Sequence, residues 1–334
     1  MINYKKILII GGGGFIGHNL AMSLKSFGFE VHILDSLQVN NLTSVVGNQD
    51  NLPNPKLSYQ VIQERLDLLN KKNIPLIVQD ARDYHELSRI ISTLNPEVII
   101  HLAAVSHANR SNKDPYSTFD HSLRTLENAL DASKNNVKRF IYFSSSMVYG
   151  NFSSEMVDEK SICEPLGIYG ALKFSGEKMV IAYNQVFDLP YTIVRPSALY
   201  GERCISRRVG QIFIENALYE KPIKINGDGT DRLDFTYIQD LVDGIIKIIQ
   251  NKEAENEIFN ITYGESRPIS ELVEILKDYF PKIEVEKIPK DNLMPTRGTL
   301  STEKARELLG FESNWPLEKG YRKYIEWYIN LTNS

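Results

Sequence analysis

One short stretch decides the fold: the apolar run Lys6–Ile10 leads without a break into Gly11-Gly12-Gly13-Gly14-Phe15-Ile16-Gly17. An apolar run, a glycine cluster and an amphipathic segment, in that order, predict a strand, a tight turn and a helix. Such a loop lets the backbone approach a pyrophosphate and directs the positive end of the helix at it. Gly13 also satisfies neighbouring registers of the glycine spacing. We therefore expect a dinucleotide here, held by Gly11, Gly14, Phe15, Ile16 and Gly17.

The second apolar run ends at Leu34-Asp35, 18 residues after Gly17. An aspartate at that spacing accepts hydrogen bonds from the hydroxyls of the adenosine ribose and repels a 2′-phosphate. Ser36 and Leu37 follow it, and neither could bind a phosphate as arginine does. NAD is therefore the predicted cofactor rather than NADP. The alternative interpretation makes Asp35 a solvated turn residue.

Six short apolar runs alternate with amphipathic stretches, and this alternation predicts βα units on a parallel sheet that is covered on both faces. The predicted strands are Lys6–Ile10, Glu30–Leu34, Pro75–Val78, Val98–Leu102, Arg139–Phe143 and Tyr191–Val194. The predicted helices are Phe15–Phe27, Tyr84–Leu94, Tyr116–Asn135, Tyr169–Phe187 and Gln239–Gln250. Between residues 36 and 75, an Asn/Pro-rich loop and a helical patch at Tyr59–Leu69 predict an insertion at the mouth of the sheet.

The pattern changes after Arg195-Pro196 to short mixed elements with several glycines and prolines. We expect an α/β protein with a Rossmann-type, doubly wound parallel sheet and a smaller, discontinuous α/β cap that binds the substrate. The Rossmann domain is predicted to span residues 1–195 plus about 235–262. The cap is predicted to span about 196–234 plus 263–334.

Composition excludes several classes of function. The net charge is -4, from 38 Lys and Arg against 42 Asp and Glu, which gives no electrostatic case for nucleic acid or an anionic membrane. Two cysteines cannot form a disulfide framework, and the six histidines show no metal-ligand spacing, so no metal is predicted. The apolar runs near the start are too short for a bilayer span or a signal peptide. A cytoplasmic globular enzyme or small-molecule binder is the expectation that remains.

Tyr169 and Lys173 lie four residues apart and therefore share one face of a helix. This helix follows the strand that ends in Ser144-Ser145-Ser146, and the carboxyl ends of such strands meet the ligand near the switch in strand order. A nearby ammonium favours the phenolate of a tyrosine, whose ordinary pKa is about 10, and a serine hydroxyl can hold the substrate oxygen. The alternative for Tyr169 is an aromatic ring packed in the core.

These residues, with further motifs spread over nearly the whole chain, resemble the extended short-chain dehydrogenase/reductases. The group that they resemble is the NAD-dependent sugar-nucleotide epimerases and dehydratases, which include UDP-glucose 4-epimerase. The further motifs are Asp80-Ala81-Arg82-Asp83, His101-Leu102-Ala103-Ala104, Val148-Tyr149-Gly150, Leu199-Tyr200-Gly201, Gly227-Asp228-Gly229, Asp234-Phe235-Thr236-Tyr237 and Lys304-Ala305 with Leu309-Gly310-Phe311.

The resemblance implies a nucleotide diphospho-sugar substrate from polysaccharide biosynthesis, bound between the Rossmann domain and the cap. Asp80 and Ala81 would lie near the adenine, and Leu102, Ala103 and Ala104 against the cofactor. Ser145 matches the catalytic Ser/Thr position, beside the catalytic Tyr169 and Lys173, which would also bind the cofactor. A homodimer would form through a four-helix bundle of the helices at 116–135 and 169–187.

The two residues after Ser145 discriminate among the reactions of the family. Its 4,6-dehydratases carry an acidic pair at the positions of Ser146 and Met147, its decarboxylases a Glu at Met147, and its 3,5-epimerases a Cys there. Methionine can do none of this proton work. The simplest remaining reaction is 4-epimerisation by transient oxidation at C4 and hydride return, with Tyr169 as base, Lys173 lowering its pKa and Ser145 holding and shuttling the proton. A C4 oxidoreductase, another enzyme that forms a 4-keto sugar, and a non-catalytic NAD-binding regulator are the alternatives.

The substrate side departs from the family, with Ala198 in place of an Asn and Leu233 in place of an Arg. Arginine suits a pyrophosphate through bidentate hydrogen bonds, and the alternative for each arginine is a solvated surface position. Ser106 and His107 follow the fourth strand and are expected to face the sugar, His107 either as an extra acid/base or as a structural residue. The predicted substrate-binding residues are Ser106, Ser145, Ser146, Arg208, Arg232 and Arg297.

Overall fold

A computed structural model of the chain describes residues 4–47, 53–106, 108–290 and 294–333. Seven parallel strands form its central sheet, and the strand order reverses between β1 and β4, as in a doubly wound sheet. The Rossmann-type sheet predicted from the sequence is confirmed. Across the sheet the strands are β3 (Leu76–Val78), β2 (Glu30–Asp35), β1 (Lys6–Ile10), β4 (Val98–His101), β5 (Arg139–Phe143), β7 (Tyr191–Arg195) and β10 (Glu257–Asn260).

The side chains of β1 alternate between two hydrophobic cores, one on each face of the sheet. Ile7 and Ile9 belong to one core, and Leu8 and Ile10 to the other. Both faces are covered, which is why the strand is apolar at every one of these positions. The first face is covered by α1 (Phe15–Ser26) and α10 (Ile238–Gln250), and the second by α4 (Tyr84–Leu94), α7 (Thr125–Ser133) and α8 (Gly167–Phe187).

Several predicted element boundaries need correction. The strand predicted over Val98–Leu102 ends at His101. The helix predicted over Tyr116–Asn135 consists of α6 (Pro115–Phe119), a π-helical turn (Asp120–Arg124) and α7. Polar side chains bond to backbone within this turn, since the Thr125 hydroxyl donates to the His121 carbonyl at 2.9 Å, and such bonds compete with the regular ladder.

The helical patch predicted at Tyr59–Leu69 is the middle of a longer helix, α3 (Pro55–Lys71), and a short helix α2 (Leu42–Val46) precedes it. Pro55 occupies the first turn of α3, where the missing N–H has no partner to lose. The side chain of Asn41 caps α2 by accepting a hydrogen bond from the Leu42 N–H at 2.8 Å. The insertion between residues 36 and 75 is therefore ordered where it is described.

Smaller elements follow the sheet strands. Three two-stranded pairs form outside the sheet: β6 (Met156–Val157) with β13 (Thr299–Leu300), β8 (Ile223–Asn226) with β12 (Val285–Ile288), and β9 (Arg232–Asp234) with β11 (Ser266–Pro268). The other helices are α5 (Ala108–Lys113), α9 (Val209–Leu218), α11 (Ser270–Lys277), α12 (Glu303–Leu309) and α13 (Leu317–Asn333). Strand β10 joins the sheet within the segment predicted to return to it, and the domain limits themselves stay a prediction.

Membrane-spanning helices and groups of metal ligands are both absent from the described ranges. None of the helices there has both the length and the apolar character that a bilayer span requires. In the same ranges, no three His, Cys, Asp or Glu side chains are grouped so that they could hold a metal ion.

Candidate active site

The glycine loop between β1 and α1 is built by close contacts that exclude side chains. Gly11 has a φ of 81°, and a Cβ there would stand 2.6 Å from the Ala103 nitrogen. A Cβ at Gly17 would overlap the backbone of Gly12. At Gly14 the nearest atom would be 3.5 Å away, an ordinary contact, and Gly14 lines the cofactor cleft. Gly11 and Gly17 therefore have a steric reason to be glycine, and Gly14 has none.

Asp35 is buried at the end of β2 and fastens this loop. Its carboxylate accepts hydrogen bonds from the Gly13 N–H at 2.9 Å and from the Leu37 N–H at 2.7 Å. Burial raises the pKa of Asp35, and the two backbone N–H groups and the Arg65 guanidinium oppose that rise. The alternative of a solvated turn residue is wrong, because the side chain is enclosed.

A cleft of about 120 Å³ lies over the loop and brings together most of the residues predicted to bind the cofactor. Tyr169 and Lys173, which were also predicted to bind it, line the adjoining cavity instead. Its walls combine loop backbone, a buried carboxylate and small apolar side chains, which fit a dinucleotide. The predicted residues in it are Gly11, Gly14, Phe15, Ile16, Gly17, Asp35, Asp80, Ala81, Leu102, Ala103 and Ala104. Sequence reasoning missed Ser36, Val39, Asn40, Gln79, His121, Thr125 and Ser206, and placed Arg208 only with the substrate.

A second, larger cavity of about 1050 Å³ adjoins this cleft and contains Ser145, Tyr169 and Lys173. Ser145 follows the sheet directly, and its hydroxyl accepts a hydrogen bond from the Met147 N–H at 3.2 Å. Lys173 is only 6% exposed, and its Nζ donates to the Phe143 carbonyl at 2.7 Å. Burial lowers the pKa of Lys173 to about 8, with Glu177 opposing the shift.

Tyr169 lies one turn before Lys173 on α8 and is partly buried. Burial raises the pKa of Tyr169, whereas the Arg208 guanidinium and a hydrogen bond with Ser145 lower it. Arg208 is thus a cation that lowers the pKa of this phenol. The predicted influence of Lys173 on Tyr169 stays a prediction.

A buried ion pair between Glu177 and Arg195 lies next to the catalytic residues of α8. Glu177, one turn after Lys173, accepts two hydrogen bonds from Arg195, at 2.9 and 2.7 Å, and a third from Ser144 at 2.5 Å. Arg195 also donates to the Tyr149 hydroxyl at 3.0 Å. These contacts join the ends of β5 and β7 to α8. Sequence reasoning missed Glu177, although its spacing of four residues from Lys173 places it on the same helix face.

The predicted substrate residues also line the second cavity. The Ser106 hydroxyl accepts a hydrogen bond from the Asn40 amide at 3.1 Å, and the Ser146 hydroxyl bonds to Ser197 at 3.3 Å. Arg232 is exposed and donates to the Ser266 hydroxyl at 3.0 Å. Its guanidinium is therefore partly committed to the protein. His107 lies outside the described residues, so its predicted role has no structural account.

Arg208 and Arg297 each have a hydrogen-bond donor that no described residue accepts. The Nε of each is buried, and neither has a hydrogen-bond partner within the described ranges. Burial and the neighbouring Arg208 lower the pKa of Arg297 to about 10, with Asp231 opposing. Buried donors are nearly always satisfied in native structures, so two such arginines together mark a place for an anion.

The remaining charges in the wall of the large cavity are almost all positive. Sequence reasoning missed Arg110, Lys113, Arg207, Lys224 and Lys290, which come from separate segments and share no motif. Asp231 is the one carboxylate among the described lining residues, and it pairs with Lys290 at 2.6 Å. The wall therefore favours an anionic ligand.

A Rossmann sheet, a glycine loop fastened by a buried aspartate and an adjoining Ser–Tyr–Lys cavity define an NAD-dependent enzyme of the short-chain dehydrogenase type. The chain belongs to the NAD dependent epimerase/dehydratase family, whose sequence model matches residues 7–262. It is 30% identical to the putative UDP-glucose 4-epimerase of Methanocaldococcus jannaschii, over 97% of this chain and 98% of that protein. It is 26% identical to the dTDP-D-glucose 4,6-dehydratase of Homo sapiens, over 97% of this chain and 90% of that protein.

The fold is shared with the UDP-glucuronic acid 4-epimerase of Bacillus cereus, solved in complex with UDP-glucuronic acid and NAD. The TM-score is 0.85 at 27% identity, covering 98% of this chain and 99% of that chain. The sequence-based prediction of the family is confirmed, and so is the prediction of NAD as cofactor. The roles of individual residues stay predictions.

Proposed function

We propose that the chain is a sugar-nucleotide 4-epimerase, which oxidises C4 of the sugar transiently and reduces it again from the opposite face. One observation carries the proposal: the cavity holds Ser145, Tyr169 and Lys173, while Met147 stands where an elimination or decarboxylation needs an acid or base. Asp231, the one carboxylate among the described lining residues, is already paired with Lys290. The described lining of the cavity thus contains the residues that reversible oxidation needs, without the additional acid or base that an elimination or a decarboxylation needs.

In the proposed reaction, Tyr169 removes the proton of the C4 hydroxyl and later returns it. Ser145 holds the same oxygen through its hydroxyl, which the hydrogen bond between Ser145 and Tyr169 supports. Lys173, with a pKa of about 8, is mostly charged at neutral pH and favours the phenolate. NAD, when bound, supplies a hydride acceptor at C4 and the same hydride for the return.

Arg208 and Arg297 would bind the diphosphate of the substrate. Their unsatisfied buried donors and the excess of cations around them support this role. The cavity volume of about 1050 Å³ lies at the upper end of the range for small-molecule sites. It gives the oxidised sugar space to rotate between the two half-reactions.

A panel of UDP-, GDP-, CDP- and dTDP-sugars with product analysis by NMR tests the proposal. We expect an epimeric product with no net formation of NADH. Stoichiometric NADH or an accumulated 4-keto sugar would contradict it and favour a C4 oxidoreductase. Tight NAD binding without turnover of any substrate would instead identify a regulator.

We further propose a homodimer in which the helices at 116–135 and 169–187 pack against those of a second copy. Apolar side chains exposed on these helices support it: Tyr116 is 86% exposed, and Phe119, Val186 and Phe187 are also exposed. Light scattering after gel filtration should give twice the mass of 38.1 kDa. A monomer at micromolar concentration would refute the dimer.

We also propose that the substrate-binding cap is discontinuous and spans about 196–234 plus 263–334, as expected from the sequence.

A further inference from the structure

The insertion between residues 36 and 75 contacts the cofactor cleft directly. Asn41 donates from its amide to the Gly13 carbonyl at 3.0 Å, within the glycine loop. Asn40 donates to the Ser106 hydroxyl at 3.1 Å, beyond the end of β4. Asn40 also lines both the cleft and the larger cavity. The start of the insertion therefore lies between the cofactor loop and the substrate cavity.

Arg65, in the middle of α3, ties this start to a distant part of the chain. Its side chain is 1% exposed. Nη1 donates to the Asn40 carbonyl at 3.2 Å, and Nε donates to the Arg203 carbonyl at 2.9 Å, with Nη2 on the same oxygen. Arg65 forms no ion pair with any residue that the structure describes. A buried cation held only by backbone carbonyls is costly for packing alone, since an apolar side chain would fill the space better.

The segment reached by Arg65 is in turn fixed to α1, directly behind the glycine loop. Arg203 donates from Nε to His18 Nε2 at 2.9 Å and from Nη2 to the Asn19 side-chain oxygen at 3.1 Å. His18 Nε2 is thus an acceptor, and its Nδ1–H donates to the Gly14 carbonyl at 2.8 Å. Burial and the two arginines keep the pKa of His18 well below its usual range, so the ring stays neutral.

The backbone is strained at the two residues whose carbonyls Arg65 binds. Asn40 has a φ of 50° and Arg203 a φ of 66°, left-handed conformations that non-glycine residues adopt at a cost. Arg65 binds the carbonyl of each of these two residues. Just beyond Arg203, Ser206 and Arg208 line both the cleft and the larger cavity. One side chain therefore holds two strained turns that border the cofactor.

We propose that Arg65 is a positioning residue that locks the insertion and the segment 203–208 over the cofactor cleft, so that NAD stays bound from one turnover to the next. This inference rests on the proposed function, because an epimerase that reduces what it has oxidised does not need to exchange its cofactor. Arg65 lines neither the cleft nor the larger cavity. It acts through Asn40 and through the segment 203–208.

The test uses the purified holoenzyme and measures the release of bound NAD into excess labelled NAD, without sugar nucleotide. Arg65→Met should release NAD at least about tenfold faster, the effect of losing one charge-assisted hydrogen bond. Arg139→Met is the control for loss of a buried arginine: Arg139 is equally buried, bonds to Thr192 at 3.2 Å and pairs with Glu255 at 3.3 Å, at the opposite end of the strands. Release from this control should keep the wild-type rate.

A wild-type release rate from folded Arg65→Met would overturn the proposal, and so would an equal acceleration in Arg139→Met, which would indicate general loosening. Asn40→Gly provides a second variant, because glycine tolerates the φ of 50° while the bond to Ser106 is lost. It should also accelerate release, and an unchanged rate would count against the proposal. Because NAD release is measured without substrate, a failed epimerase assay would refute the proposed function and leave this result standing.

Discussion

Replacing Lys173 by methionine should remove most of the activity while changing the stability of the chain in a pH-dependent way. Lys173 is buried, and burial lowers its pKa from 10.5 to about 8. In the unfolded chain the amine keeps a pKa of about 10.4. The unfolded state therefore binds more protons between pH 8 and about 10.4, and the free energy of unfolding rises with pH through that window. Below pH 8 the wild type carries the full cost of a buried charge.

The magnitude follows from the pKa. Lowering the pKa from 10.5 to about 8 corresponds to about 3 kcal/mol at neutral pH. Methionine removes this cost, but it leaves the Phe143 carbonyl without its donor, which costs about 1–3 kcal/mol. The cost of leaving the Phe143 carbonyl without a donor does not depend on pH. Relative to the mutant, the wild type should therefore gain about 2 kcal/mol in free energy of unfolding between pH 7 and pH 9.5.

Urea unfolding of both proteins at pH 7, 8.5 and 9.5 measures this difference, and product analysis by NMR measures the activity. We expect the activity of Lys173→Met to fall by about 10²–10⁴. Lys178→Met, on the exposed side of the same helix, is the matched control for replacing a lysine in α8. Unfolding free energies that differ by the same amount at all three pH values would refute the reasoning, because the lysine would then not be held in a costly charged state.

Four further substitutions follow from the site. Tyr169→Phe should abolish turnover while NAD is still recovered from the denatured protein; activity near wild type would remove Tyr169 from its role. Replacing Arg297 by alanine should raise the KM for the sugar nucleotide about tenfold or more at unchanged NAD content, since a charge-assisted bond to the diphosphate is lost. Arg208→Ala should raise the KM and also lower kcat, because the Arg208 guanidinium lowers the pKa of Tyr169. Glu177→Gln should destabilise the chain by about 3–5 kcal/mol in urea unfolding, because it breaks a buried pair with Arg195; a loss below 1 kcal/mol would contradict this.

The glycine loop and the strand before it could be predicted because their signals are local. Continuous burial makes residues 7–10 apolar, and the turn needs glycine at Gly11 for its φ of 81° and at Gly17 for its contact with Gly12, two reasons that act within a few residues. The π-helical turn Asp120–Arg124 lacks such a signal. It places His121 in the cofactor cleft, yet it interrupts what the sequence pattern indicates as one regular helix. Widened turns depend on contacts made by neighbouring segments, which periodicity does not reveal.

The insertion could be located but not interpreted from the sequence. Its helix was visible as an amphipathic patch, and an arginine in such a patch is mostly exposed. Arg65 is instead buried against the carbonyl of Arg203, which lies 138 residues further along the chain. A contact of that separation forms only when the sheet has brought both segments to the same edge. Composition and spacing therefore could not have predicted the contact between Arg65 and the Arg203 carbonyl.

The three arginines proposed for the substrate show why residue type alone does not define a binding site. Arg232 is exposed and gives part of its guanidinium to Ser266, whereas Arg208 and Arg297 keep buried donors without a partner in the described ranges. The difference arises from what the neighbouring backbone offers each side chain. The same holds for charge: a chain with a net charge of -4 directs its cations into one cavity wall, where they act together on an approaching anion. Net charge therefore gave no reason to expect nucleic acid as a partner, and it could not have indicated the proposed diphosphate, because binding such a group depends on where a few charges stand.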